Sequence, residues 1–417
     1  MIGSLFAGMV GLNVNSTSMT VLGDNIANVN TTAFKSNRSS FANILASSLG
    51  GSVTSDVGRG VQFQGTTPMW TQGTIENTNN PTDMAINGSG FFVLQDGDGA
   101  NFYSRAGEFH FDRNGNLVSL GGLYVQGYEV TGTNPDGSLL LGPLSNINVP
   151  GGSASPPSAT STVSADVNLD ADAATGSTYQ TTLTIYDSLG SAIPMTIAFT
   201  KAALSNEWTF DVLLPAGTTT NGNGPPDVLI NDNTLSFNSS GVLQGGIDRT
   251  IDISSLSNLA SPLHIDWGLF DATGASNGDL TQYASPSSTS FQSQDGYPSG
   301  TLRTVDVNEF GVVTGSYSNG QLTPLFQLTM ADFPSYYGLT KMGKNLYVES
   351  LESGPALFGT PQSGRLGSIS TSSIEMSNVD LAQEFVKMIT TQRAFQANSR
   401  VITTSDEILN ELINLKR

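Results

Sequence analysis

Residues 2 to 26 carry apolar side chains at most positions stepped alternately by three and four: Ile2, Leu5, Met9, Leu12, Met19 and Ile26, with Ser16 and Gly23 in the remaining slots. The far end repeats the pattern through Leu381, Phe385, Met388, Phe395, Ile402, Leu409 and Ile413, interrupted by Gln392, Ser399 and Asp406. A seven-residue repeat of this kind puts one apolar stripe on a helix and asks for a helical partner. Two such stripes at opposite ends predict that the termini pair and that the chain between them leaves and returns. The first helix is weak by itself. Gly3, Gly8, Gly11 and Gly23 each cost about 0.8–1 kcal/mol relative to alanine, so the segment orders only when its stripe is covered. A helical hairpin closing a globular domain and a segment that orders as copies assemble both satisfy the pattern.

Between the ends the period shortens. The first helix is expected to stop near Asn28, Val29 and Asn30, because asparagine tolerates the left-handed conformation that ends helices. Residues 47–60 and 353–370 read as Gly/Ser-rich connectors, and 61–75 as uneven strand. From Met84, short apolar runs alternate with turns: 90–94 before Asp96-Gly97-Asp98-Gly99, and 109–111 before Asn114-Gly115, which predicts compact antiparallel sheet. Residues 150–157 read as a linker. The stretches 182–186, 195–199 and 208–212 alternate strictly, as strands of a β-sandwich or barrel do. Residues 285–293 read as the return linker, 302–307 and 325–328 resume strand, and Ser377 or Asn378 is expected to cap the last helix.

The predicted fold class is therefore mixed α and β, multi-domain. Residues 1–35 and 371–417 form a terminal helical domain with coiled-coil character, and 36–75 and 355–370 a connector. Residues 76–150 and 286–354 form a discontinuous β-rich middle domain, into which 151–285 insert as a β outer domain.

Charge narrows the partners. The net charge is −19, which makes nucleic acid and anionic membranes poor candidates. Residues 151–290 hold thirteen Asp and Glu against Lys201 and Arg249, a balance of −11. There is no cysteine, so disulfides and thiolate metal sites are excluded. Residues 1–23 are uncharged, which invites a signal-peptide or membrane-span reading. Against it stand the missing basic n-region and the polar residues Asn13, Asn15, Ser16, Thr17, Ser18 and Thr20.

The sequence holds no recognisable catalytic or metal-ligating constellation. His110 and His264 have no metal-ligand spacing. The segments at Asp96 and Asp112 faintly suggest calcium loops, but Gly107 and Leu123 stand where the closing glutamate is needed, and hairpin turns explain both. Ser188 lacks a Gly-Xaa-Ser-Xaa-Gly context. No enzyme, cofactor or metal site is expected.

Residues 27–35 (Ala-Asn-Val-Asn-Thr-Thr-Ala-Phe-Lys) resemble the N-terminal signature of the bacterial flagellar rod, hook and hook-associated protein family. Residues 377–381 and 392–400 resemble its C-terminal signature. Residues 86–92 and 103–107 are similar to the sheet domain shared by distal rod and hook members. The stretches 186–190, 199–201, 206–208, 235–237 and 317–321 resemble hook members. The chain departs from the family pattern after Phe333 and at 372–375. The resemblance implies an exported, extracellular hook subunit without a cleaved signal. It implies self-association into a helical homopolymer whose inner tube is lined by the terminal helices. The stripe residues from Leu5 to Ile26 and from Leu381 to Ile413 are then the candidate subunit-interface positions. Implied partners are the distal rod, hook cap and hook–filament junction proteins and the flagellar type III export apparatus. The alternatives are a distal rod protein, a secreted β-rich adhesin and, more distantly, an enzyme.

Overall fold

The computed structural model describes residues 2–44, 47–48, 56–57, 60–220, 227–245 and 248–414 of the 417-residue chain. The fold is mostly β, with one long helix at each end: α1, Ile2–Ala27, and α2, Leu381–Asn414. The chain forms two compact units. Unit one comprises 1–151, 305–315 and 323–417; unit two comprises 152–304 and 316–322.

Helix α1 ends where the asparagines predict, by another device. The Asn28 side chain donates to the Asp24 carbonyl at 2.9 Å, and the residue with positive φ is Ala33 (58°), not an asparagine. The start of α2 also differs from expectation. Asp380 caps it, its Oδ1 accepting from the backbone N–H groups of Ala382 (2.9 Å) and Gln383 (3.2 Å). Asn378 is unavailable because its side chain is committed elsewhere, as described below.

In unit one the strand Phe91–Gln95 is central. It pairs with Asn101–Ser104 on one side and with Tyr124–Thr133 and Met330–Asp332 on the other. Both of its faces are covered, so Phe91, Phe92, Val93 and Leu94 are buried in succession rather than alternately. Edge-to-face aromatic pairs close the core, with Tyr103 and Phe333 at 4.8 Å and Phe91 and Tyr336 at 5.3 Å.

The run 353–370, read as a loose connector, is instead tied into the sheets. Leu357–Gly359 pairs with Met330–Asp332 and Ser368–Thr371 with Met84–Asn87. The other connector, 47–60, lies largely outside the described residues and springs from a hairpin of Asn37–Asn43 with Val61–Pro68.

Unit two holds two sheets around one core. Thr178–Tyr186, Ala192–Lys201, Glu207–Leu214, Asp227–Phe237 and Leu243–Gln244 form an antiparallel meander. The other sheet centres on Thr162–Asp170, flanked by Leu263–Trp267, Leu280–Tyr283 and Ser288–Gln294. Alternate residues of both sheets, among them Ile185, Phe199, Phe210, Ile265 and Trp267, meet in the core.

The return linker expected at 285–293 is largely that last strand. Its polar side chains are mostly exposed while its backbone completes a ladder, so composition hid it. The chain accordingly stays in unit two through Thr304, past the expected boundary at 285. Ala154–Ser155, expected as linker, is also a short strand, paired with Gly300–Val307.

One turn design recurs in both units. Asp96, Asp112, Asp187, Asn238, Asp271 and Asn308 each accept, on Oδ1, the backbone N–H groups two and four residues on, at 2.8–3.1 Å. The residue three positions on is a glycine with positive φ: Gly99, Gly115, Gly190, Gly241, Gly274 and Gly311. The two loops that faintly suggest calcium binding are turns of this kind.

Candidate assembly interface

Helices α1 and α2 pack against each other, but not stripe to stripe. On α1 the buried positions are Gly8, Gly11, Val14, Leu22 and Asn25. The predicted stripe (Met9, Leu12, Gly23, Ile26) lies one residue away from four of these. A Cβ at Gly11 would sit 2.6 Å from Nδ2 of Asn398, and one at Gly8 would sit 3.1 Å from Cγ1 of Ile402. Two of the four glycines that weaken α1 as an isolated helix, Gly8 and Gly11, thus make room for α2, whereas a Cβ at Gly3 or Gly23 would meet nothing within 4 Å. Met9 remains 49% exposed beside Phe6 at 52%, while Leu5, Leu12, Met19 and Ile26 are half-buried.

On α2 half of the stripe turns inward. Met388, Phe395, Ile402 and Leu409 are half-buried, and the inward positions alternating with them include the polar Glu384, Thr391, Asn398 and Ser405, while Phe385, Gln392 and Asp406 are exposed. Phe385 (50%) and Leu381 (40%) are exposed together with Val386 and Ile389. The side chain of Ile413 lies outside the described residues. By length and composition alone α1 could cross a membrane; here it lies beside α2 with an apolar strip uncovered.

Polar groups fix the roots of the pair. Asn25, buried in α1, donates through Nδ2 to Glu384 Oε2 (3.1 Å) and to the Asn37 carbonyl (2.8 Å), and accepts the Asn37 N–H on Oδ1 (2.8 Å). Asn378, just before α2, accepts the Ser36 N–H at 2.8 Å and donates to the Met69 carbonyl at 2.8 Å. It therefore splices three passages of chain instead of capping the helix.

Deeper in unit one, Glu375 is fully buried. Its Oε1 accepts from Lys35 Nζ at 2.6 Å and from the Gly73 N–H at 2.9 Å, and its Oε2 lies 3.3 Å from Arg105 Nη1. Lys35 is 1% exposed and donates also to the Thr71 carbonyl at 2.9 Å. Burial lowers its pKa below the usual lysine value, opposed by the attraction of Glu375. In the adjoining core, burial pushes Tyr103 and Tyr347 up to about 12.

Pattern reading does not find Glu375. Periodicity follows apolar positions, and a carboxylate between short strands reads as solvated. The one hint was the scarcity of charge, 12% of residues, which makes an acid between Ile374 and Met376 conspicuous.

Among the described residues no group of three or more His, Asp or Glu side chains could hold a metal ion. His264 meets Asp252 at 2.5 Å, both well exposed, as a surface pair.

Three family models match successive parts of the chain. Residues 85–171 match the family model described as Flagellar hook protein FlgE/F/G D1 domain. Residues 148–297 match Flagellar basal body protein FlaE D2 domain, and 370–415 match Flagellar basal body rod FlgEFG protein C-terminal. The sequence is 35% identical over 422 residues to flagellar hook protein FlgE of Escherichia coli K12, covering 97% of this chain and 98% of that protein. It is 33% identical over 467 residues to flagellar hook protein FlgE of Treponema pallidum, covering all of both. Among solved structures, the Helicobacter pylori flagellar hook protein FlgE2 aligns with a TM-score of 0.50 at 16% identity, over 72% of this chain and 100% of that one. That likeness is one of fold.

Proposed function

The chain belongs to the flagellar hook protein family, and on that footing we propose that it is a structural subunit of the bacterial flagellar hook. It polymerises into a flexible, curved tube that carries motor torque from rod to filament. The observation that supports this reading, beside end-to-end similarity to hook proteins, is the apolar surface left open on each of the terminal helices. Phe6, Met9, Phe385, Val386 and Ile389 stay exposed after α1 and α2 have packed together. Neighbouring copies are the occupants of these surfaces. At about 25 cal/mol per Å², a few hundred Å² covered per subunit contributes several kcal/mol before ordering costs. A head-to-tail contact that does not close into a ring builds a helical tube.

In this proposal the paired helices form the tube's inner wall as a coiled-coil-like layer, to which the half-buried Leu5, Leu12, Met19 and Ile26 contribute. Unit two is acidic and meets its copies through weaker, exchangeable contacts, which lets subunits slide as the tube bends. The distal rod, the hook cap and the hook–filament junction proteins are the partners at the tube's ends. The type III export apparatus is the route out of the cell, without a cleaved signal.

Electron microscopy of basal bodies labelled with antibody to this protein tests the reading. Label is expected along the hook. Label confined to the rod, or cells that build normal hooks without the protein, would refute it.

A further inference from the structure

We propose that Glu375, through its buried pairs with Lys35 and Arg105, is a positioning residue for assembly: it fixes the direction in which the helical pair leaves the sheets of unit one, and with it the twist and curvature of the polymer. The proposal rests on the hook-subunit reading.

Three passages far apart in sequence converge on this carboxylate. Lys35 follows α1 closely, Glu375 shortly precedes α2, and Arg105 follows the strand Asn101–Ser104. The network reaches the core as well. Arg105 Nη2 donates to the Gly88 carbonyl at 2.6 Å, and its guanidinium lies over the Phe91 ring, 5.7 Å from the centroid.

Stability does not explain such an arrangement. A buried ion triad is often no more stabilising than apolar side chains of the same volume. What it supplies is direction, because charge-assisted hydrogen bonds hold both distance and angle, whereas apolar contacts allow the helix roots to swivel. The surrounding backbone leaves no slack. A Cβ at Gly73 would lie 2.0 Å from the Met376 carbonyl oxygen, and one at Gly107 would lie 1.7 Å from that of Met84. Ala33, fully buried with φ at 58°, donates its N–H to the Glu375 carbonyl at 2.7 Å.

The test uses the full-length chain in two forms, Glu375→Gln and the apolar triple replacement Lys35→Met/Glu375→Leu/Arg105→Met. Circular dichroism follows the monomers, and electron cryomicroscopy gives twist, rise and curvature of the tubes. Both variants are expected to retain the monomer's β signal and to give tubes with shifted twist and lost regular curvature, or no tubes at all. Tubes with wild-type twist and curvature would overturn the proposal. So would monomers of both variants that fail to fold, since the triad would then serve the fold and not orientation. Failure of the wild-type chain to form tubes would count against the hook reading instead.

Discussion

Asp187 shows how much one turn residue holds. It is fully buried, its Oδ1 accepts the Leu189 and Ser191 N–H groups, and its Oδ2 accepts from Asn258. Burial alone would raise its pKa, but these hydrogen bonds outweigh burial and the net shift is downward. Asp187→Ala leaves those donors unpaired and is expected to cost about 1–3 kcal/mol, read as a lower urea midpoint for unit two, with Asp187→Asn milder. The tyrosines act at the other end of the pH scale. Tyr103 and Tyr347 titrate at about 12 when folded, against an ordinary value of 10.0. The neutral phenol is thus the form the fold favours. Its contribution is complete below pH 10 and is lost as pH rises from 10 to 12. Unfolding in that window, followed by circular dichroism alongside phenolate absorbance, is the expected outcome; tyrosines that ionise near 10 with the fold intact would contradict it. The turns at 96–99 and 114–115 are legible from Asp, Asn and Gly alone, whereas those at Asn238 and Asp271 are not picked out by pattern. Nor is Asn258 legible as a partner of Asp187, because that contact joins distant loops.

At the scale of the element, the helices separate two jobs that one sequence pattern blurs. The seam of α1 is its small face, so Gly11→Leu, whose Cβ already meets Asn398 at 2.6 Å, is expected to push the helices apart and lower the melting temperature of unit one. Met9→Asp and Phe385→Asp each place a charge on one of the open apolar surfaces, at opposite ends of the helical pair. They are expected to leave the monomer's spectrum unchanged and to abolish tube formation, as sedimentation and negative-stain microscopy would show. Normal tubes from both would exclude these surfaces as the contact between copies. Heptad reading found Met388, Phe395, Ile402 and Leu409, the inward half on α2. It missed the alternating polar positions, because Glu384 and Asn398 face inward to make hydrogen bonds and close contacts that hydrophobicity does not record.

For the whole molecule, the buried core of unit two is drawn from residues between Val163 and Leu280, with Ala159 packed against it, and its two chain ends meet. Ser158 and Tyr297 exchange backbone hydrogen bonds at 3.0 Å in both directions. A fragment of residues 156–299 is therefore expected to fold alone with a cooperative melt. Joining 157 to 298 by a short turn is expected to leave unit one folded and able to build tubes with altered bending. A fragment without a cooperative transition would show that the unit depends on the remainder of the chain.

By itself the sequence determined the long terminal helices, the turn chemistry of the hairpins, the alternating strands of unit two and, through its end signatures, the family. These are local or periodic properties, written in side-chain spacing within a few residues. Tertiary structure alone decided which face of α1 meets α2, that the Ser-rich stretches near 290 and 370 are paired strands, and that Glu375 receives Lys35 and Arg105. Each of these depends on what a backbone or a charge finds opposite it after the chain has returned from hundreds of residues away. Spacing along the sequence records that the two ends come back together, but not which backbone or charge each residue then finds opposite it.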